Sequence, residues 1–182
     1  AYVGTGRMGG GYIRTYNNSG RETSYLGTGS DNSGQLRIYD KQGETRSYIG
    51  DGYLQAYNQF GERTIFLGTG TNGGGYLRTY NFSGQESIYV GTGADSSGQI
   101  RIYDNSGETG SFLGSGYFRT YNKFGKLTTF IGNASDGGGY LRTNNKFETE
   151  TVFLGTNNAN EGLINLNDKF GQSFWIRLNK KN

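Results

Sequence analysis

The 182-residue chain contains no histidine, no cysteine and no proline. Without histidine there is no imidazole general base and no histidine-based triad. Without cysteine there is neither a disulfide framework nor thiolate chemistry, and with histidine also absent zinc loses its usual sulfur and nitrogen ligands. Long hydrophobic runs are missing too, since no stretch reaches the roughly 20 apolar residues a membrane-spanning helix requires. Leu, Ile, Val and Phe together make up only about a fifth of the residues, near the level at which one chain struggles to bury enough surface to fold alone. Charge is mild, at +3, with no block of one sign that would suggest a nucleic-acid tail or a membrane-surface helix.

What the chain has in excess is glycine, at 34, and tyrosine, at 15. These residues are periodic. Equivalent strand starts fall at Tyr12, Gln35, Tyr53, Tyr76, Gln99, Tyr117, Tyr140 and Leu163, spaced by 23 or 18 residues, so three units form a 64-residue super-repeat. The two complete copies agree at more than half of their positions. A fixed period of this size marks a solenoid, propeller or fibre. Residues 1–162 are therefore expected to form an array of repeats, and 163–182 an atypical capping repeat in which "FWIRL" replaces "YLG" and Trp175 covers the end. Because the chain opens in mid-repeat with "AYVGTG", it is expected to be a processed protein or an excerpt.

Within a unit, "YIRTYN", "YLRTYN" or "QIRIYD" alternates with period two, the β-strand signal. "NNSG", "DKQG" or "NKFG" follows, with Asx at the first turn position and glycine at the fourth, which suits a type I turn closed by a left-handed glycine. A return strand such as "ETSYLG" or "ESIYVG" completes a β-hairpin. A tight turn sets Ile13 against Leu26, Leu36 against Ile49, Leu77 against Val90, Ile100 against Leu113 and Leu141 against Leu154, with Arg14 facing Tyr25, Arg37 facing Tyr48 and Arg78 facing Tyr89. The glycine-bulge turn that the Asx-to-Gly spacing favours adds a residue and changes this parity. The five matched aliphatic pairs weigh more heavily, and Leu77 with Val90 is expected to be buried.

Arginine recurs at the third strand position, at Arg14, Arg37, Arg78, Arg101, Arg119 and Arg142. With Tyr25, Tyr48 and Tyr89 these form a candidate ligand-contacting ladder, able in principle to bind single-stranded nucleic acid or acidic polysaccharide. The competing reading is internal: the arginines stack on tyrosines and pair with Glu22, Glu44, Glu62, Glu86, Glu108 and Glu150, leaving the ladder self-neutralised. That reading is preferred and nucleic acid is not expected as a partner. Asp31, Asp95 and Asp136 sit in glycine-rich loops, but one carboxylate per loop falls short of the six to eight oxygens calcium takes. A turn role is expected instead, with no metal and no cofactor. The acids occupy repeat-equivalent sites, whereas an active site is a singular place, so an enzyme is not expected.

Units of the form "GGGYLRTYN" through "YVGTG" resemble the β-structured shaft repeats of phage tail fibres, tail spikes and injection-system needles, and fragments such as "RIYDNSGET" resemble the tyrosine-aspartate repeats of bacterial toxin shells. The first resemblance covers about residues 1–162, lies in repeat style rather than a diagnostic motif, and transfers no functional residue. It implies an all-β hairpin solenoid in a homotrimeric β-helix or β-prism-like fibre. The expected role is a shaft on an extracellular or particle surface that presents an adhesion or membrane-contacting tip without stable membrane insertion. Association of chains would bury the rows at Ile13, Leu36, Leu54, Leu77, Ile100, Phe118 and Leu141. The rival expectation is a multivalent lectin-like module for cell-surface polysaccharide.

Overall fold

The computed structural model describes residues 1–6, 9–71, 73–135, 137–157 and 159–178, the last four of these by backbone alone. Every regular element among them is a β-strand, and the chain divides into two units, residues 1–92 and 93–182. The first unit holds β1 (Tyr2–Thr5), β2 (Gly11–Tyr16), β3 (Glu22–Thr28), β4 (Gly34–Tyr39), β5 (Thr45–Gly50), β6 (Tyr53–Tyr57), β7 (Arg63–Thr69), β8 (Gly75–Tyr80) and β9 (Glu86–Thr92). The second holds β10 (Gly98–Tyr103), β11 (Thr109–Gly114), β12 (Tyr117–Tyr121), β13 (Leu127–Asn133), β14 (Gly139–Asn144), β15 (Glu150–Thr156), β16 (Gly162–Asn167) and β17 (Ser173–Leu178). In each unit every strand pairs antiparallel with its neighbours in sequence. Each unit is thus a meander one layer thick, and among the described residues Phe130, 6 % exposed, is the one buried large apolar side chain.

The hairpin turns follow the Asx-to-Gly pattern. Asn17 Oδ1 accepts hydrogen bonds from the backbone N–H groups of Ser19 and Arg21, both at 3.0 Å, and Gly20 closes the turn at φ +76°. The same geometry recurs at Asn81–Gly84 and Asp104–Gly107. Glu148 takes the glycine position in one copy, at φ +66°. The two short connections, Asp51–Gly52 and Ser115–Gly116, place both residues at positive φ, the mirror-image turn that two-residue hairpins favour. They account for the 18-residue spacing.

Both conflicting expectations about register hold together. The glycine-closed turn is present, and one further residue is inserted on the return strand. Thr15 pairs with Ser24 while Tyr16 pairs with Glu22, leaving Thr23 as a β-bulge. Ser87 and Thr151 are the equivalent residues of other units. The second insertion cancels the parity change of the first, so Ile13 does face Leu26, Leu36 faces Ile49, Leu77 faces Val90, Ile100 faces Leu113 and Leu141 faces Leu154. The bulge hydroxyls bond across the pair, Thr15 to Thr23 at 2.7 Å and Thr79 to Ser87 at 2.8 Å.

The two faces of each unit differ. One carries an unbroken aliphatic row, Val3, Ile13, Leu26, Leu36, Ile49, Leu54, Leu67, Leu77 and Val90 in the first unit. In the second it runs through Ile100, Leu113, Phe118, Ile131, Leu141, Leu154 and Ile164. At β17 the register position opposite Ile164 is Arg177, and the row stops. Leu77 and Val90 are not buried within the chain: Val90 is 38 % exposed, and Leu26 and Leu67 reach 51 % and 50 %. A single layer has nothing to lay over this face. The Trp175 side chain lies outside the described residues, as does Asp136.

Candidate functional site

The other face carries two adjacent alternating rows, interrupted at Gln35, Gln55 and Gln99. In the first unit one row reads Tyr2, Arg14, Tyr25, Arg37, Tyr48, Gln55, Phe66, Arg78, Tyr89 across successive strands. In the second it reads Arg101, Phe112, Arg119, Phe130, Arg142, Phe153. All nine residues of the candidate ladder therefore fall in these rows, six in the first unit and Arg101, Arg119 and Arg142 in the second. The facing pairs Arg14 with Tyr25, Arg37 with Tyr48 and Arg78 with Tyr89 form as expected.

The neighbouring row alternates tyrosine with glycine. Tyr12 faces Gly27, Tyr76 faces Gly68 and Gly91, and Tyr140 faces Gly132 and Gly155. The glycines leave space over which the aromatic two residues earlier lies. At Gly68 an added Cβ would come within 2.9 Å of Phe66 Cε1, and at Gly114 within 2.9 Å of Phe112 Cζ. The rings then stack across strands. Tyr48, Tyr53, Phe66, Tyr76 and Tyr89 form a continuous stack with centroids 5.1–5.8 Å apart. In the second unit Phe112, Tyr117, Phe130, Tyr140 and Phe153 form another, at 4.7–5.5 Å. Each such pair contributes about 0.5–1.5 kcal/mol beyond burial.

The arginines lie on these rings. The Arg119 guanidinium carbon is 4.2 Å from the Tyr117 centroid and 5.4 Å from that of Phe130; Arg78 lies 4.7 Å from Tyr76 and 5.6 Å from Tyr89. The Nε atoms of all six ladder arginines are covered and lack a hydrogen-bond acceptor, as expected of an N–H resting on a ring face. Neutralisation is less complete than the glutamate count predicts. Arg14 pairs with Glu22 at 3.2 Å and Arg78 with Glu86 at 3.3 Å. The Arg78 contact runs through Nε and is an ion pair without hydrogen-bond alignment. Among the described residues Arg37, Arg101, Arg119 and Arg142 form no ion pair. Glu62, whose hairpin carries Gln55 at the arginine position, accepts from the Asn58 amide at 2.9 Å. In the third copy of the same unit type as Arg14 and Arg78, Glu150 accepts from Asn167 Nδ2 at 3.5 Å and does not pair with Arg142.

The ring stack of the first unit is interrupted between Tyr25 and Tyr48, where Gln35 stands at the tyrosine position. There the face opens into a polar cleft of about 420 Å³ lined by Asp31, Gln35, Arg37, Tyr48, Asp51 and Gln55, among others. Arg37 Nη2 donates to Gln35 Oε1 at 3.1 Å, and the Tyr48 hydroxyl donates to Asp51 Oδ2 at 3.0 Å. Burial, reinforced by that Asp51 contact, pushes the Tyr48 hydroxyl up to about 12. Asp31 Oδ1 accepts from both the hydroxyl and the N–H of Ser33, at 2.8 and 3.1 Å, which holds its carboxyl below the usual range. Asp95 does the same with Ser97. Both loop aspartates thus act in turns. Such a cleft can offer donors, acceptors and a ring edge to a polar ligand; no set of three or more metal-ligating side chains gathers among the described residues.

Two features of this face were missed by sequence reasoning. Phe66, Phe112, Phe130 and Phe153 belong to the same row as the tyrosines, and Gln55 breaks the arginine positions. The recurring aromatic two residues before glycine, in "YLG", "FLG", "YVG" and "FIG", was the available signal.

No protein-family description matches the chain, and no curated relative matches it. Among solved structures, the chain is similar to one from the Photorhabdus luminescens Tc holotoxin pore carrying the TccC3-D651A mutation, at 13 % identity and a TM-score of 0.26. The match covers 87 % of this chain and 12 % of that one. The chain thus spans about an eighth of the solved chain it resembles.

Proposed function

We propose that this chain is a structural segment of a fibre or spike shaft on an extracellular or particle surface, a spacer for an adhesive or membrane-contacting tip, and that it works as a homotrimer rather than as an enzyme. The observation that carries this reading is the uncovered aliphatic row. Each strand from β1 to β16 contributes one apolar side chain to it, and representative members stand about half exposed. Hydration of apolar surface costs about 25 cal/mol per Å², so the face favours a cover.

The cover proposed is further copies of this chain. The row repeats with the super-repeat, so copies present matching surfaces to one another. A flanking row that includes Ile38, Ala56, Ile65 and Ile88 on the same face widens this patch in the first unit. In the first unit the face carries a shallow, open groove lined by Ile49, Leu54, Leu67, Leu77 and Val90. Three chains closing these faces would form a β-prism-like core that no one chain has. A mass measurement in solution tests this: three chains per particle is expected, and one chain per particle overturns it.

The polar cleft at Gln35, Arg37 and Tyr48 favours a second reading, a lectin-like module for cell-surface polysaccharide, because Arg37 forms no ion pair among the described residues. A glycan array with no binding at high protein concentration overturns that alternative.

A further inference from the structure

Three consecutive hairpins of the second unit, β12–β13, β14–β15 and β16–β17, end in turns that place a phenylalanine in solvent beside a lysine. Phe124, Phe147 and Phe170 are 70 %, 74 % and 72 % exposed. The ammonium groups of Lys123, Lys146 and Lys169 lie 5.1, 4.9 and 4.9 Å from the centroids of the following rings. Turn chemistry requires the Asx and the left-handed residue of these loops and makes no demand for an aromatic at the third position: the equivalent tip residues Ser19, Gln42 and Ser106 are polar and build the same turn.

The acids near the tips are engaged internally. Asp168 Oδ1 accepts from the N–H groups of Phe170 and Gln172 at 2.8 and 2.9 Å, and Glu148 pairs with Lys126 at 2.9 Å. Lys123, Lys146 and Lys169 form no ion pair among the described residues. Each tip therefore offers one ring and one free ammonium. Alternate turns of a meander share an edge, and two strand widths separate successive tips by about 10 Å.

We propose that this edge is a peripheral contact for an anionic lipid surface. Rings about 10 Å apart, separated by polar turns, do not make the contiguous apolar patch that a protein groove would bury. A fluid headgroup layer accepts separate rings one by one, and the adjacent ammonium groups then meet lipid phosphates and carboxylates. The contact is shallow, because a turn tip cannot bring its unpaired backbone groups into hydrocarbon. This inference does not depend on the number of chains per particle.

Co-sedimentation of the full chain with vesicles tests it, using phosphatidylcholine alone and phosphatidylcholine mixed with phosphatidylserine. Binding to the mixed vesicles, weakened by added salt, is expected. The triple variant Phe124→Ser, Phe147→Ser, Phe170→Ser should lose about tenfold in partitioning per ring, and the triple variant Lys123→Gln, Lys146→Gln, Lys169→Gln about fivefold per lysine. Because all six side chains project from turns, both variants should keep the wild-type circular dichroism, which checks that they fold. No sedimentation with either vesicle leaves the row to a protein partner and overturns the proposal. Binding indifferent to phosphatidylserine, or unchanged in the phenylalanine variant, overturns it equally. The mass of the same preparation reports separately on assembly.

Discussion

Tyr12 in β2 lies directly opposite Gly27 in β3, and a Cβ on Gly27 would fall 2.6 Å from the Tyr12 Cβ and 2.7 Å from the Gly11 carbonyl oxygen. The second contact is backbone and cannot swing away. Gly27→Ala is therefore expected to lower stability by about 1–3 kcal/mol, as overpacking does. Gly34, in the same unit, faces open space and has no positive φ. Gly34→Ala should be neutral or stabilising by up to about 1 kcal/mol, because it removes freedom from the unfolded chain. Urea midpoints of the two variants decide the matter, and equal shifts would show that the alternation of tyrosine with glycine is not a packing requirement.

The bulge makes an unusual prediction about deletions. Tyr80 pairs with Glu86 and Thr79 with Ile88, so Ser87 is the one residue between them without a partner position. Removing it leaves Leu77 opposite Val90, and the expected loss is about 1 kcal/mol for the hydroxyl pair to Thr79. Removing Tyr89 instead moves Val90 to the opposite face, since strand side chains alternate. That deletion should abolish the cooperative unfolding transition, which the Ser87 deletion retains. If the two deletions behave alike in chemical denaturation, the bulge does not set the register.

Much of this architecture is legible in the sequence. The pairs Ile13 with Leu26 and Leu77 with Val90 follow from matching aliphatic positions about the turn, because a shared face demands a shared parity. The bulges were not legible: Thr23 and Ser87 are ordinary strand residues, and an inserted residue shows only as an odd count between turn and row. The ladder was legible as composition but not as electrostatics. Glu22 and Glu86 do reach Arg14 and Arg78, whereas Glu150, in the equivalent place beside Arg142, accepts from the Asn167 amide instead. Side-chain reach is set by local twist and turn contacts, which a one-dimensional spacing does not contain. The exposure of the aliphatic row follows from single-layer pairing, which the expected burial of Leu77 and Val90 did not take into account.

Acid should weaken the turns. In Asp104 the Ser106 hydroxyl, followed by the backbone N–H of Glu108, stabilises the carboxylate and holds its pKa below 3.8; in Asp31 and Asp95 the hydroxyls of Ser33 and Ser97 do so. A carboxyl whose folded pKa is depressed contributes stability above its unfolded value and loses that contribution as pH falls through the folded one. Stability should therefore hold above about pH 5 and fall progressively as pH drops below 3.8. Asp104→Asn keeps the acceptor oxygen without the titration, so its thermal midpoint should change less between neutral and acid pH than that of the parent. An identical pH slope in the variant would remove Asp104 from this account.

Leu67 sits between Leu54 and Leu77 in the aliphatic row and is 50 % exposed. Within one chain a glutamate there can keep its carboxylate in water, so Leu67→Glu should leave the strand signal in circular dichroism in place. In a three-chain assembly the same position is covered in every copy, and an unpaired buried carboxylate costs several kcal/mol each time. The expected result is a change from three chains per particle to one at the same protein concentration. Arg37→Gln, on the opposite face, should leave the particle mass unchanged, because that side chain lies on the ring of Tyr48 and away from the row. Particles that stay trimeric in Leu67→Glu while dissociating in Arg37→Gln would place the interface on the aromatic face and reverse the assignment of the two surfaces.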